Sequence, residues 1–100
     1  MRNYEVAFIV HPDLDETAFN EVQERVKSWI TDAGGEVTKV DLWGKKKLAY
    51  EIRKQTEGQY ILFETKMPPS FCAELERNLQ LQESILRYMV TRPAETVQTN

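Results

Sequence analysis

LWGKKKLAYEI, residues 42–52, reads as a strand at both ends, yet a glycine and three successive lysines fill its middle. Upstream, Val37 to Leu42 is rich in β-branched and alternating residues, and downstream Leu48, Tyr50 and Ile52 alternate again. A period of two marks a strand with one apolar face. Gly44, set between the two halves, points to a bulge or bend that re-aims the side chains after it. Residues 53–58 are polar and turn-like, and residues 59–67 alternate once more. Together these runs predict one long hairpin.

Working outward, Tyr4, Val6, Phe8 and Val10 alternate with Asn3, Glu5, Ala7 and Ile9, and His11-Pro12-Asp13 ends that strand. Asp15 is placed to cap a helix, with Leu14 and Phe19 at the spacing of a hydrophobic staple. Phe19, Val22, Val26, Trp29, Ile30 and Ala33 form one helical stripe, closed by Gly34-Gly35. Beyond the hairpin, Pro68-Pro69-Ser70 offers Ser70 as the next N-cap, and Phe71, Cys72, Leu75 and Leu79 give a shorter stripe. Residues 83–92 carry the last strand, with Tyr88 and Val90 on one face. The order is β-α-β-β-α-β. Its simplest packing is an α+β, ferredoxin-like βαββαβ sandwich: a four-stranded antiparallel sheet with two helices on one face. The first and last strands are expected to be adjacent and central. Residues 1–93 read as a single domain and residues 94–100 as a flexible C-terminal tail.

The chain has 100 residues, 41% hydrophobic and 29% charged, with a formal net charge of −3. That balance belongs to a globular domain and argues against coating nucleic acid by bulk charge, while leaving room for a local basic patch. A lone cysteine, Cys72, cannot form an internal disulfide. Met1-Arg2-Asn3 runs straight into a strand pattern, so no leader is expected. No apolar run approaches the roughly 18 residues of a membrane span. A cytoplasmic protein is expected.

Nothing in the sequence assembles a catalytic or metal-binding set. His11, the sole histidine, precedes Pro12 and suits a loop role. Cys72 falls on an inward stripe and suits a structural thiol. Asp13, Asp15 and Glu16 cluster where a helix start uses acidic residues for capping and its dipole. Gly34-Gly35 lacks the pattern of a phosphate loop. Neither enzymatic activity nor a cofactor is expected.

The helix-free face of such a sheet must also be accounted for. If Val6, Phe8, Ile61, Phe63, Met67, Tyr88 and Val90 face the helices, then Ile9, Tyr60, Leu62 and Met89 face away. With Trp43 they make a candidate surface for a protein partner. Scattered exposed apolar residues are also ordinary on proteins. RNA-recognition motifs share this topology and stack bases on aromatics of the two central strands. Here Tyr60 is the one outward aromatic, so a stacking platform is half missing. Cations offer a different mode. Lys45, Lys46 and Lys47, with Lys54 at the far end of the hairpin and Arg2, Arg87 and Arg92 on the first and last strands, could hold phosphates without reading sequence. A bulge at Gly44 could let two or three of the lysines converge. The same lysines would equally blunt an exposed strand edge.

Several segments add a resemblance. They are Arg2-Asn3-Tyr4-Glu5, the lead-in from Pro12 to Asp15, Trp43-Gly44-Lys45-Lys46-Lys47-Leu48-Ala49-Tyr50-Glu51-Ile52, Gly58-Gln59-Tyr60, Glu74-Leu75-Glu76-Arg77 and Leu86-Arg87-Tyr88-Met89. In that order and register the chain resembles the bacterial small-subunit ribosomal protein S-six family over nearly its whole length. Members often carry proline where Glu51 stands, which bears on hairpin stiffness. The resemblance implies a ferredoxin-like fold and a structural role in the small ribosomal subunit. It also implies binding to the central domain of small-subunit ribosomal RNA together with ribosomal protein S-eighteen. The alternative on residues alone is a ferredoxin-like regulatory domain that homodimerises through its open sheet face and binds a small ligand.

Overall fold

The alternation at the start of the chain becomes β1 (Arg2–Val10), which buries Tyr4, Val6, Phe8 and Val10 and turns Ile9 and Ala7 to the other face. It is followed by α1 (Glu16–Asp32), β2 (Glu36–Ile52), β3 (Gln55–Met67), a one-turn 3-10 helix (Pro69–Phe71), α2 (Cys72–Gln80) and β4 (Ile85–Thr91). This computed structural model describes residues 2–92. The tail expected at 94–100 lies outside the described residues.

The four strands form one antiparallel sheet in the order β2-β3-β1-β4, and the ferredoxin-like sandwich expected from the sequence is the observed fold. β4 does lie beside β1, but on an edge; the central pair is β1 and β3. The hairpin decides this. β2 sits next to β3, β1 takes the free side of β3, and β4 adds to the outer side of β1, which leaves β2 as the opposite edge.

Both helices pack on one face. Val22, Val26 and Ile30 of α1 and Leu75 and Leu79 of α2 meet Val6, Phe8, Ile61, Phe63 and Met67 of the sheet. At its centre the Phe8 and Phe63 rings meet edge to face, 5.3 Å apart at 85°. Such a pair adds about 0.5–1.5 kcal/mol beyond its burial. Buried Thr65 donates its hydroxyl proton to the Tyr4 carbonyl at 3.1 Å, so a polar group inside the core is satisfied.

The caps of α1 match the sequence reading. Asp15 Oδ1 accepts from the Ala18 amide at 2.8 Å. At the other end Gly34, with φ of 89°, donates to the Thr31 carbonyl while Gly35 donates to that of Ile30, both at 2.9 Å. These two bonds make a Schellman cap, which needs the left-handed residue that glycine supplies. Ser70 does not act as the expected cap of α2. Pro69, with its fixed φ, starts a 3-10 turn ahead of the helix; Ser70 lies inside it, and Phe71 closes it by donating to the Pro68 carbonyl at 3.0 Å.

Candidate nucleic-acid interface

The hairpin is longer and more bent than its sequence suggests. β2 runs unbroken through the lysines, and β3 begins at Gln55, so the turn is Arg53-Lys54 alone and not residues 53–58. Gln55 and Glu57 are polar yet pair in the ladder, because backbone pairing in a hairpin does not require apolar alternation. Both turn residues have positive φ, 49° at Arg53 and 67° at Lys54. Two-residue hairpins favour that geometry, usually with asparagine or glycine. For ordinary residues it costs roughly 1–2 kcal/mol each.

Two irregularities in β2 set where its side chains point. Leu42 pairs with Ile61 and Gly44 with Tyr60, so Trp43 is an extra residue, and Gly44 beside it has φ of 81°. This is the bulge expected at Gly44. The lysines beyond it keep the ordinary alternation of a strand. Lys45 and Lys47 oppose Gln59 and Glu57 and share one face, while Lys46 opposes Gly58 on the other. Lys46 Nζ sits 5.4 Å from the centre of the Trp43 ring, and that ring stacks on Tyr60 at 6.4 Å and 7°. Lys45 and Lys47 share a face, Lys46 is turned to the outer face of the sheet, and the convergence of neighbouring lysines expected from the bulge is not seen. All three are exposed, and among the described residues none of them takes part in an ion pair.

The second irregularity lies beyond the lysines. Between the Lys47–Glu57 and Ile52–Gln55 pairs, β2 has four residues, 48–51, against the single Thr56 of β3. The surplus swings the tip of the hairpin over the helix-free face. There Leu48, Tyr50 and Ile52 look down on Ile9, Leu62 and Met89 across an apolar groove of about 430 Å³. Ile9 lies against Gly58, where an added methyl group would overlap its Cγ2. Arg87 lies over the Tyr50 ring, 5.6 Å from its centre, and Arg53 Nη1 donates to the Glu83 carbonyl at 3.0 Å.

Ile9, Trp43, Tyr60, Leu62 and Met89, the residues assigned to a partner surface, therefore all line one groove. Sequence reasoning missed its other wall. The alternation of Leu48, Tyr50 and Ile52 marked a face, but the surplus that folds it back leaves no pattern in the residues. The cations are not all gathered. Arg2 pairs with Met67 at one end of the sheet, and Arg92 comes directly after Thr91, which pairs with Glu5 nearby. Lys45 stands opposite Gln59, which also faces Val10, and Arg87 pairs with Ile9, both at the other end. Lys54 lies beyond them at the turn. β1 has nine residues. At about 3.4 Å per residue the two groups stand roughly 27 Å apart.

The remaining candidates have structural uses. The His11 carbonyl accepts from Gln59 Nε2 at 3.2 Å, its amide donates to the Ser84 carbonyl at 2.8 Å, and its ring accepts from the Asp13 amide at 3.2 Å. Cys72 is half-buried against the core beside Tyr4, whose phenol is pushed above its ordinary range by burial and by that thiol. Among the described residues no three His, Cys, Asp or Glu side chains gather as a metal-ligand set.

A family model described as Ribosomal protein S6 matches residues 3–92, which takes in the hairpin, the groove and every candidate cation except Arg2. The chain belongs to the ribosomal protein S6 family. It is 50% identical over 95 residues to the small ribosomal subunit protein bS6 of Moorella thermoacetica, covering 95% of this chain and 97% of that one. To the protein of the same name from Streptomyces coelicolor it is 44% identical over 93 residues, covering 93% and 97%. The crystal structure of 30S ribosomal protein S6 from Thermotoga maritima superposes with a TM-score of 0.88 at 31% identity, covering 98% of this chain and 92% of that one. Membership of the ribosomal protein S6 family favours a ribosomal role over the ligand-binding regulatory domain.

Proposed function

We propose that this protein is a non-catalytic component of the small ribosomal subunit, working in the cytoplasm on the ribosome. In this reading it binds the central domain of small-subunit ribosomal RNA together with ribosomal protein S-eighteen. The observation that carries the reading is the family match across residues 3–92. The geometry supports a division of labour. Lys45, Lys47, Lys54 and Arg87 offer phosphate contacts at the hairpin end, where Lys46 is turned to the opposite face over Trp43; Arg2 and Arg92 offer them at the other end, and the groove lined by Ile9, Trp43, Tyr60, Leu62 and Met89 receives the protein partner. Phosphate contacts hold position and carry no base information, which suits a Tyr60 ring already stacked on Trp43. A chain of net charge −3 makes a weak RNA ligand alone, so a partner that buries the groove and adds cations is part of the reading.

The test is filter binding to a central-domain RNA fragment, with and without ribosomal protein S-eighteen. Binding should be weak alone, much tighter with the partner, and steeply salt-dependent. Equal affinity with and without the partner would overturn the joint-binding reading. Replacing Lys45, Lys46 and Lys47 by alanine should weaken the ternary complex; unchanged affinity and salt slope would return these lysines to edge protection.

A further inference from the structure

The turn of the hairpin takes a backbone conformation that its residues disfavour, and one of its side chains reaches the body of the domain. Arg53 and Lys54 both have positive φ, although neither is glycine or asparagine. The ladder is interrupted short of this tip, because between the Lys47–Glu57 and Ile52–Gln55 pairs the four residues 48–51 are opposed by Thr56 alone. What spans from the tip to the body of the domain is Arg53, whose Nη1 donates to the Glu83 carbonyl in the segment leading into β4. The same closure brings Tyr50 under the Arg87 guanidinium.

We propose that Arg53 is a positioning residue. It latches the hairpin tip to the segment before β4 and so fixes the angle at which the lysine-bearing strand and the groove wall meet their ligands. The inference rests on the RNA-binding reading and adds to it a residue that acts through others and touches no phosphate itself. A charge-assisted bond to an exposed carbonyl is modest. Its loss should raise opening of the tip by about five- to tenfold. The pose competent to bind then becomes rarer, by at most that factor, and apparent affinity falls in proportion to its population.

Two variants, Arg53→Gly and Arg53→Asn, remove the latch while suiting positive φ, so the turn itself is preserved. Amide hydrogen exchange on the intact chain should rise about five- to tenfold across residues 48–55, with Phe8 and Phe63 unchanged. Binding to the central-domain RNA fragment with ribosomal protein S-eighteen should weaken by no more than the same factor, mainly through slower association. The salt slope should not move. A phosphate contact would behave otherwise, since losing one lowers the slope by about 0.7–0.9. Unchanged exchange would overturn the latch. Faster exchange with unchanged affinity, or a slope lowered by that amount, would overturn the positioning role. If the unaltered chain and partner fail to bind the RNA at all, the functional reading falls and the positioning role falls with it, whereas the exchange result still decides the latch.

Discussion

Replacing Lys45 and Lys47 together by alanine should have an effect that depends on salt in a calculable way, and replacing Lys46 should not. The register puts Lys45 and Lys47 on one face of β2 and Lys46 on the other, over Trp43. A single RNA surface lying against the first face meets two of the three. Each phosphate neutralised contributes about 0.7–0.9 to the slope of log affinity against log salt. The double variant should therefore flatten the slope by about 1.4–1.8. Between about 50 and 200 mM salt its affinity deficit should shrink by about 7- to 12-fold, since a fourfold change in salt is raised to that power. Lys46→Ala should lower affinity a little and leave the slope nearly intact, because its ammonium is held over an aromatic ring.

The assay is a set of binding isotherms for the ternary complex at four or more salt concentrations. The prediction concerns slopes, so a uniform loss of active protein does not imitate it. If Lys46→Ala flattens the slope as much as either of the other lysines does alone, the face assignment does not govern RNA contact. If the double variant keeps the slope of the unaltered chain, Lys45 and Lys47 touch no phosphate.

Other consequences are independent of that experiment. Gly35→Ala should destabilise the domain by about 2–4 kcal/mol in urea unfolding, because a Cβ there would meet the Lys66 carbonyl oxygen at 2.5 Å and Met67 Cβ at 2.9 Å, and a β-strand backbone cannot yield as a side-chain tip can. Asp15→Ala should cost about 1 kcal/mol by the same measurement through loss of the cap on Ala18, whereas Asp15→Ser should cost much less. Because the Tyr4 phenol is raised in the folded chain, the unfolded chain loses that proton first. The associated stability is intact below the ordinary value of 10.0 and drains as pH rises through the folded value, so unfolding midpoints of Tyr4→Phe should fall less steeply above about pH 10 than those of the unaltered chain. Glu57 stands directly opposite Lys47, so Glu57→Gln should tighten RNA binding about two- to fivefold at low salt, with the gain fading as salt rises.

The elements whose one face is dry were legible in the residues, and those wet on both faces were not. β1 announced itself because Tyr4, Val6, Phe8 and Val10 must all avoid water; α1 did so through its stripe and through caps that depend on local chemistry at Asp15 and Gly34. The tip of the hairpin gave no such signal. Gln55, Thr56 and Glu57 form a strand for want of a better partner for their backbone, and polarity there looked like a turn. The same blindness hid half of the groove. Parity tells which residues face outward, but whether an outer face is covered depends on a register surplus that costs nothing in composition. The cations were found individually by residue type, and their division between two ends of the sheet became visible only once strand order was known.

On the proposed function, that division bears on how an acidic domain would hold RNA at all. With 13 lysines and arginines against 16 carboxylates, the chain as a whole does not attract a polyanion, and Lys47 faces Glu57 across the ladder. Two small groups of cations roughly 27 Å apart, by the rise of an extended strand, make a different kind of ligand. Each is weak, but both are fixed to one rigid sheet, so once the first is seated the second binds without further loss of orientation. The advantage holds only if the span between them is constant. At the Arg2 and Arg92 end constancy comes from β1 and β4, which are laddered into the core. At the lysine end it must come from a bulged, edge-lying strand. A hairpin free to swing would surrender the gain; on the proposed function, a bent tip closed over an apolar groove and tied at Arg53 would keep it, and a partner seated in that groove would strengthen RNA binding even without touching a nucleotide.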